Sequence, residues 1–336
     1  MRLLNTKKNY KKICVVITQI GSIFYLLSII KKFTNDNIKI FINTNCEKEI
    51  KKKKLKYTVI NKKNFTEILE YRIIICNLTQ YDFYEKLILK KRTHYNYLIQ
   101  FLDNWNFVEN RLYYSHKKNF YADEYWALDN NTKNILKNEL KKKNKKAEVL
   151  IFEHPGILEL KKSYRPKYKK KVTKILIILQ PLGLVYLNNK LKKFKYSTKD
   201  IIKFIKNFQN NFSKVKFYFA LHPLMKVGYS KKKNFINLNK IEDIFNYTHI
   251  IGLFSTMCSA AIQIGLPTAI LTIKKEKDYL KNITRKNKYL ISNYTELEYF
   301  IKKKLNKRYK RQLLFNNNSA YMRIKNILKI NNSINV

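Results

Sequence analysis

The chain has 336 residues and a formal net charge of +47, from 70 Lys and Arg against 23 Asp and Glu, yet 45% of it is hydrophobic and 14% aromatic. That apolar share excludes a disordered chain, and the length suits two domains better than one core. The basic excess is dispersed and mostly Lys, alongside abundant Asn, Ile and Tyr as in AT-rich coding; a nucleic-acid binder would concentrate it in a stripe with interleaved aromatics. No specific nucleic-acid partner is expected, and nucleic-acid binding is the lesser alternative.

The first strand is expected over KICVVIT (12–18), a β-branched run bounded by a polar turn. Residues 13–30 together approach the length of a membrane span. Thr18-Gln19 and Gly21-Ser22 interrupt that run at its centre, which favours strand, turn and helix, with a membrane anchor as the alternative. No small-residue cleavage site follows, which argues against a signal peptide. Helical spacing continues over 24–33, and short strands are expected at 38–44, 56–61, 72–78, 95–103 and 147–155. Another strand surrounds Trp126 in 121–129, and an amphipathic helix covers 127–143.

A basic stretch at 161–174, broken by Pro166, marks a boundary, so domains are expected at 1–163 and 164–336. Beyond it, strands are expected in 175–183, 216–223, 249–254 and 267–273, and helices at 198–212, 241–248, 256–264 and 295–305. The last of these helices reads as a capping box of Thr295 and Glu298. A final helical segment, 308–330, is expected to cross back to the first domain. Strands alternating with helices define an α/β class: two Rossmann-like domains whose parallel sheets face a cleft.

In such sheets ligands lie beyond the carboxyl ends of strands, against helix N-termini. Three features of the second half fall there: Gln180, His222-Pro223 and Ser255-Thr256. A helix start offers unpaired N–H groups and partial positive charge, two hydroxyls add donors, and Gly252 permits close approach. The corner Gly252, Ser255, Thr256 with Pro223 therefore reads as a phosphate site, and His222 as a donor to a leaving phosphate; the alternative for Ser255 is a helix cap.

In the first half, Asp103 ends an apolar strand in FLDNWNFVENR and is the candidate general base. Trp105 is a candidate sugar-stacking residue, with core packing as its alternative. Gln180, Trp105 and Gly21, the last at the start of the first helix, are the expected donor or acceptor contacts. Four cysteines without a CxxC pair, and five His without metal spacing, indicate free thiols in a reducing compartment and no metal.

ILIILQPLG, YFALHP and HIIGLFSTMCSAAIQIGLP, in this order, resemble the second domain of bacterial sialyltransferases of the lipooligosaccharide and polysialic-acid types. The resemblance implies an inverting, metal-independent enzyme of GT-B architecture using CMP-sialic acid, with no further cofactor. It sets His222 and Pro223 on the His-Pro motif and Ser255 and Thr256 on the hydroxyl pair, both on the donor phosphate. It also sets Asp103 at the acidic motif, where this chain has Asn104-Trp105 instead of a second acid and Gly. The implied partners are a nucleotide sugar and a glycan or glycolipid acceptor. The implied location is the cytoplasm, at the inner membrane face, where a basic surface meets anionic lipid. A catalytically idle GT-B relative that binds a glycan or partner is the alternative.

Overall fold

The computed structural model describes residues 11–31, 38–79, 82–164, 173–180, 182, 184–187, 190–193, 196–209, 212, 214–222, 225, 234–238, 240–275, 277–278, 280–283, 287–302 and 320–333. By internal contacts the chain forms two compact units. The first is Met1–Asp103, Val108–Gly156 and Asn316–Val336, and the second is Asn104–Phe107 and Ile157–Phe315. The chain passes from the first unit to the second at Gly156, inside the helix Pro155–Ser163, whereas the sequence boundary lies at the end of that helix.

The first unit is built on seven parallel strands: β1 (Lys11–Ile17), β2 (Ile38–Ile42), β3 (Thr58–Val59), β4 (Tyr71–Asn77), β5 (Tyr97–Phe101), β6 (Glu124–Ala127) and β7 (Glu148–Ile151). Their order is β3-β2-β1-β4-β5-β6-β7, with Ile13 of β1 opposite Ile38 on one side and Ile73 on the other. Strands covered on both faces read as continuous apolar runs, and β1 and β4 do so. The segment 13–30 resolves into β1 and the helix Ile20–Ile30, most of which is buried. Among the described residues no helix is long and apolar enough to cross a membrane.

The second unit holds β8 (Thr173–Ile178), an antiparallel hairpin of β9 (Leu184–Leu187) and β10 (Lys190–Lys193), then β11 (Val215–Ala220), β12 (Phe235–Ile236), β13 (His249–Gly252), β14 (Thr268–Leu271) and β15 (Lys288–Ile291). Its main sheet is parallel, in the order β12-β11-β8-β13-β14-β15. The core on one face is formed by Ile177, Ile205, Phe217, Phe219, Leu253 and Phe300, among others.

The helix at 294–302 is capped differently from the sequence expectation. Asn293, two residues upstream of the expected Thr295, accepts the backbone N–H of Glu296 at 2.9 Å, and the Glu296 carboxylate takes the N–H and hydroxyl of Ser292. The helix Ala320–Ser333 belongs to the first unit. Its Arg323 pairs with the fully buried Glu124 at 2.7 Å and with Glu148 at 2.7 Å, both at the start of neighbouring strands. Of the expected segment 308–330, residues 308–319 lie outside the described residues.

Candidate functional site

In each sheet the strand order reverses beside the first strand, between β1 and β4 and between β8 and β13, and ligands of doubly wound folds bind outside the carboxyl ends of strands at such points. The second unit has Gln180 beyond β8, His222 beyond β11 and Ser255-Thr256 beyond β13, all on one sheet edge because these three strands are parallel neighbours.

The Phe254–Thr256 corner is held from several sides. Gln180, 8% exposed, accepts the Phe254 N–H at 3.3 Å, tying the end of β8 to the end of β13. Asn106 donates to the Phe254 carbonyl at 3.3 Å. Asn104 donates to the same carbonyl and to Thr256 Oγ1, at 3.4 and 3.2 Å. Ser255 sits in extended backbone and accepts the Met257 N–H at 3.1 Å, so it caps the helix Thr256–Ile264, which ends on Gly265 in the left-handed region (φ 93°). Both hydroxyl residues are half-buried. Polar groups held this firmly meet an incoming charge without reorganising, the condition under which they stabilise it most.

Gly252 has a packing task. A Cβ there would lie 2.4 Å from Cys258 Sγ, so the missing side chain lets the helix settle on β13, and that space holds sulfur rather than ligand. Trp105 is 3% exposed and its backbone carbonyl accepts from Asn282 at 3.3 Å, so its ring offers no open face for a sugar. The imidazole of His222 is pushed below its ordinary value by burial, which leaves it neutral near pH 7 with one N–H to donate. Pro223 lies outside the described residues.

In the first unit the equivalent edge carries a buried polar network. Asp103, 4% exposed, accepts from Ser22 Oγ at 2.9 Å on one oxygen and from Arg111 Nη1 at 3.0 Å on the other. Asn77, at the end of β4, donates to that Ser22 hydroxyl. Gly21 is half-buried in the first turn of the helix Ile20–Ile30, whose N-cap Gln19 makes no side-chain cap bond. His154, 2% exposed, is held down at about 4 by burial, against the opposing pull of the Asp103 carboxylate.

Nearby, Glu85 is buried and takes the Thr18 hydroxyl at 2.6 Å and the Thr79 N–H at 3.0 Å. Burial and the Asp82 carboxylate raise its pKa. The sequence carried a signal for this residue: Asp82, three positions before Glu85, is a helix N-cap and accepts the Glu85 N–H at 3.0 Å. All four cysteines are free and buried, and burial pushes Cys46 and Cys258 up to about 12, which makes them poor nucleophiles. No cluster of three His, Cys, Asp or Glu suited to a metal occurs among the described residues.

The fold is that of GT-B enzymes. Among solved structures it is similar to the UDP-GlcNAc 2-epimerase of Methanocaldococcus jannaschii in complex with UDP-GlcNAc and UDP, with a TM-score of 0.63 and 14% identity over 95% of this chain and 100% of that one. The UDP-N-acetylglucosamine 2-epimerase of Rickettsia bellii gives 0.55 and 13% over 96% of each chain. The H444N variant of the wall teichoic acid polymerase TagF gives 0.55 and 10% over 97% of this chain and 90% of that one. At these identities the fold is what is shared. No protein-family model matches the sequence, and no curated protein matches it.

Proposed function

We propose that the chain is a glycosyltransferase that moves a sugar from a nucleotide donor to a glycan acceptor with inversion. The observation that carries this reading is the braced corner Phe254–Thr256 at the reversal point of the second sheet, within a two-unit fold similar to that of nucleotide-sugar enzymes. In this reading the second unit holds the donor phosphate. The N-terminus of the helix Thr256–Ile264, the hydroxyls of Ser255 and Thr256 and the N–H of His222 meet its charge, so transfer proceeds without a metal. Gln180 keeps the corner in place, and Gly21 and Ser22 serve the acceptor side in the first unit.

Asp103 takes the acceptor proton in this proposal. The acceptor oxygen then bonds to the anomeric carbon, the bond from that carbon to phosphate breaks, and the nucleotide leaves with the electron pair. The Ser22 hydroxyl now donates to Asp103 Oδ2 at 2.9 Å, and an acceptor hydroxyl would replace one O–H donor by another. The finer form of the proposal follows the sialyltransferase resemblance: CMP-sialic acid as donor, a surface glycan or glycolipid as acceptor, and a place at the cytoplasmic face of the membrane.

The test is the shift in melting temperature of the purified chain with CMP, CDP, UDP, GDP and dTDP. A nucleotide at about 100 times its Kd stabilises by about 2.7 kcal/mol. A response to CMP alone supports the sialyl donor. A response to UDP or GDP keeps the transferase and discards sialic acid. No response overturns the proposal in favour of an idle relative. Asp103→Asn should abolish turnover at unchanged nucleotide affinity; unchanged turnover would remove Asp103 as the base.

A further inference from the structure

The carboxamide of Asn104 is 5% exposed and engaged at both ends. Its Oδ1 accepts the Trp105 backbone N–H at 2.7 Å and the Ser259 hydroxyl at 2.9 Å. Its Nδ2 donates to Thr256 Oγ1 at 3.2 Å and to the Phe254 carbonyl at 3.4 Å. A backbone N–H can only donate and a carbonyl can only accept, so Trp105 and Phe254 together fix which end of the amide is oxygen. The nitrogen must therefore face Thr256.

A hydroxyl has one hydrogen to donate and two lone pairs to accept with. With an Asn104 N–H on one lone pair, the Thr256 hydroxyl points its hydrogen away from Asn104. Thr256 is the first residue of its helix, where the unpaired backbone N–H groups and the positive end of the dipole also point outward. The amide thus sets a rotor that would otherwise be free to present either a lone pair or a hydrogen to an incoming anion.

We propose that Asn104 is a positioning residue that commits the Thr256 hydroxyl to donating toward a phosphate oxygen of the bound nucleotide. This inference rests on the reading of the corner as a nucleotide-phosphate site. It gives the departure from the family's acidic motif a purpose, since an acid at position 104 would do the opposite. An aspartate there would keep the oxygen that serves Trp105 and Ser259. It would also turn a second, charged oxygen on Thr256 Oγ1, draw the hydroxyl hydrogen to itself and repel the phosphate.

The experiment is calorimetric titration of CMP and UDP into the full chain and its variants Asn104→Ala, Asn104→Asp, Thr256→Val and Asn104→Ala with Thr256→Val, with melting temperature recorded for each. Asn104→Ala and Thr256→Val should each weaken binding by roughly tenfold, the size of one hydrogen bond to a charged group. Asn104→Asp should weaken it further. The double variant should bind about as well as Thr256→Val alone, because Asn104 acts through that hydroxyl.

Unchanged affinity in Asn104→Ala overturns the inference. So does an equal loss whether or not residue 256 carries a hydroxyl, since that is the signature of a purely structural role. Failure of the folded wild-type chain to bind either of these, or any of CDP, GDP and dTDP, is a different result: it overturns the phosphate-site reading and the Asn104 role with it.

Discussion

His154 is the clearest case of a side chain whose chemistry is set by its surroundings. Buried in the first unit with the rings of Phe24 and Tyr25 each 4.9 Å away, it stays neutral down to about pH 4, against an ordinary value of 6.5. Between those values the unfolded chain takes up a proton that the folded chain refuses. Stability from this group is therefore complete above pH 6.5 and is lost on acidification toward 4, by up to about 3 kcal/mol. Urea unfolding between pH 7 and 4.5 should show that slope, and His154→Gln should flatten it; an unchanged slope would assign acid sensitivity elsewhere. Gly252 makes a steric prediction at the same scale. Gly252→Ala sets a Cβ 2.4 Å from Cys258 Sγ and should cost roughly 1–3 kcal/mol, most of it recovered by adding Cys258→Ala. If the second substitution restores nothing in thermal unfolding, the contact is not the reason for the glycine.

The helix Thr256–Ile264 is the element on which the functional reading turns. Its Ser255 cap is worth about 1 kcal/mol with no ligand present. Replacing Ser255 by Ala and Thr256 by Val should therefore lower the melting temperature only slightly, while nucleotide affinity falls by tenfold or more. A variant that loses stability but retains affinity would show that the corner is a cap and nothing else. The elements themselves differed in how plainly the sequence announced them. This helix was legible to the residue, because a Ser cap, an apolar face and Gly265 all lie within eleven positions. The helices Phe83–Lys91 and Pro155–Ser163 carry no such signal, since each is a short run in which Lys, Glu and aromatic or aliphatic residues blur the periodicity. The strand β12 has two residues, too few for a pattern to repeat, whereas the strand expected at 56–61 is present as the two-residue β3.

Across the whole molecule the net charge of +47 dominates. The described ion pairs on the surface, such as Lys51–Glu47 and Lys302–Glu298, are largely exposed one-turn helix pairs of small worth. Self-repulsion of the remaining cations should weaken the folded state most at low ionic strength. Raising salt shortens the screening length from about 30 Å at 0.01 M to about 10 Å at 0.1 M, and the melting temperature should rise by several degrees across that range. A flat or falling curve would mean that the lysines are spaced widely enough not to repel one another.

What the sequence determined by itself was local: the α/β class, most of the strands, the Ser255 cap and the candidates at the strand ends. Those signals depend on residues a few positions apart, so one sequence is enough to read them. What only the tertiary structure decided were meetings across the chain. The sequence does not state that β8 lies between β11 and β13, which gathers Gln180, His222 and Ser255 on one edge. Nor does it state that Asn104 reaches a hydroxyl 152 positions away, or that Ser22 donates to a carboxylate 81 positions away. Parallel strands are joined by long crossovers, so their pairing leaves no trace in local periodicity. Which polar side chains become partners is settled only when the sheets form and bury them.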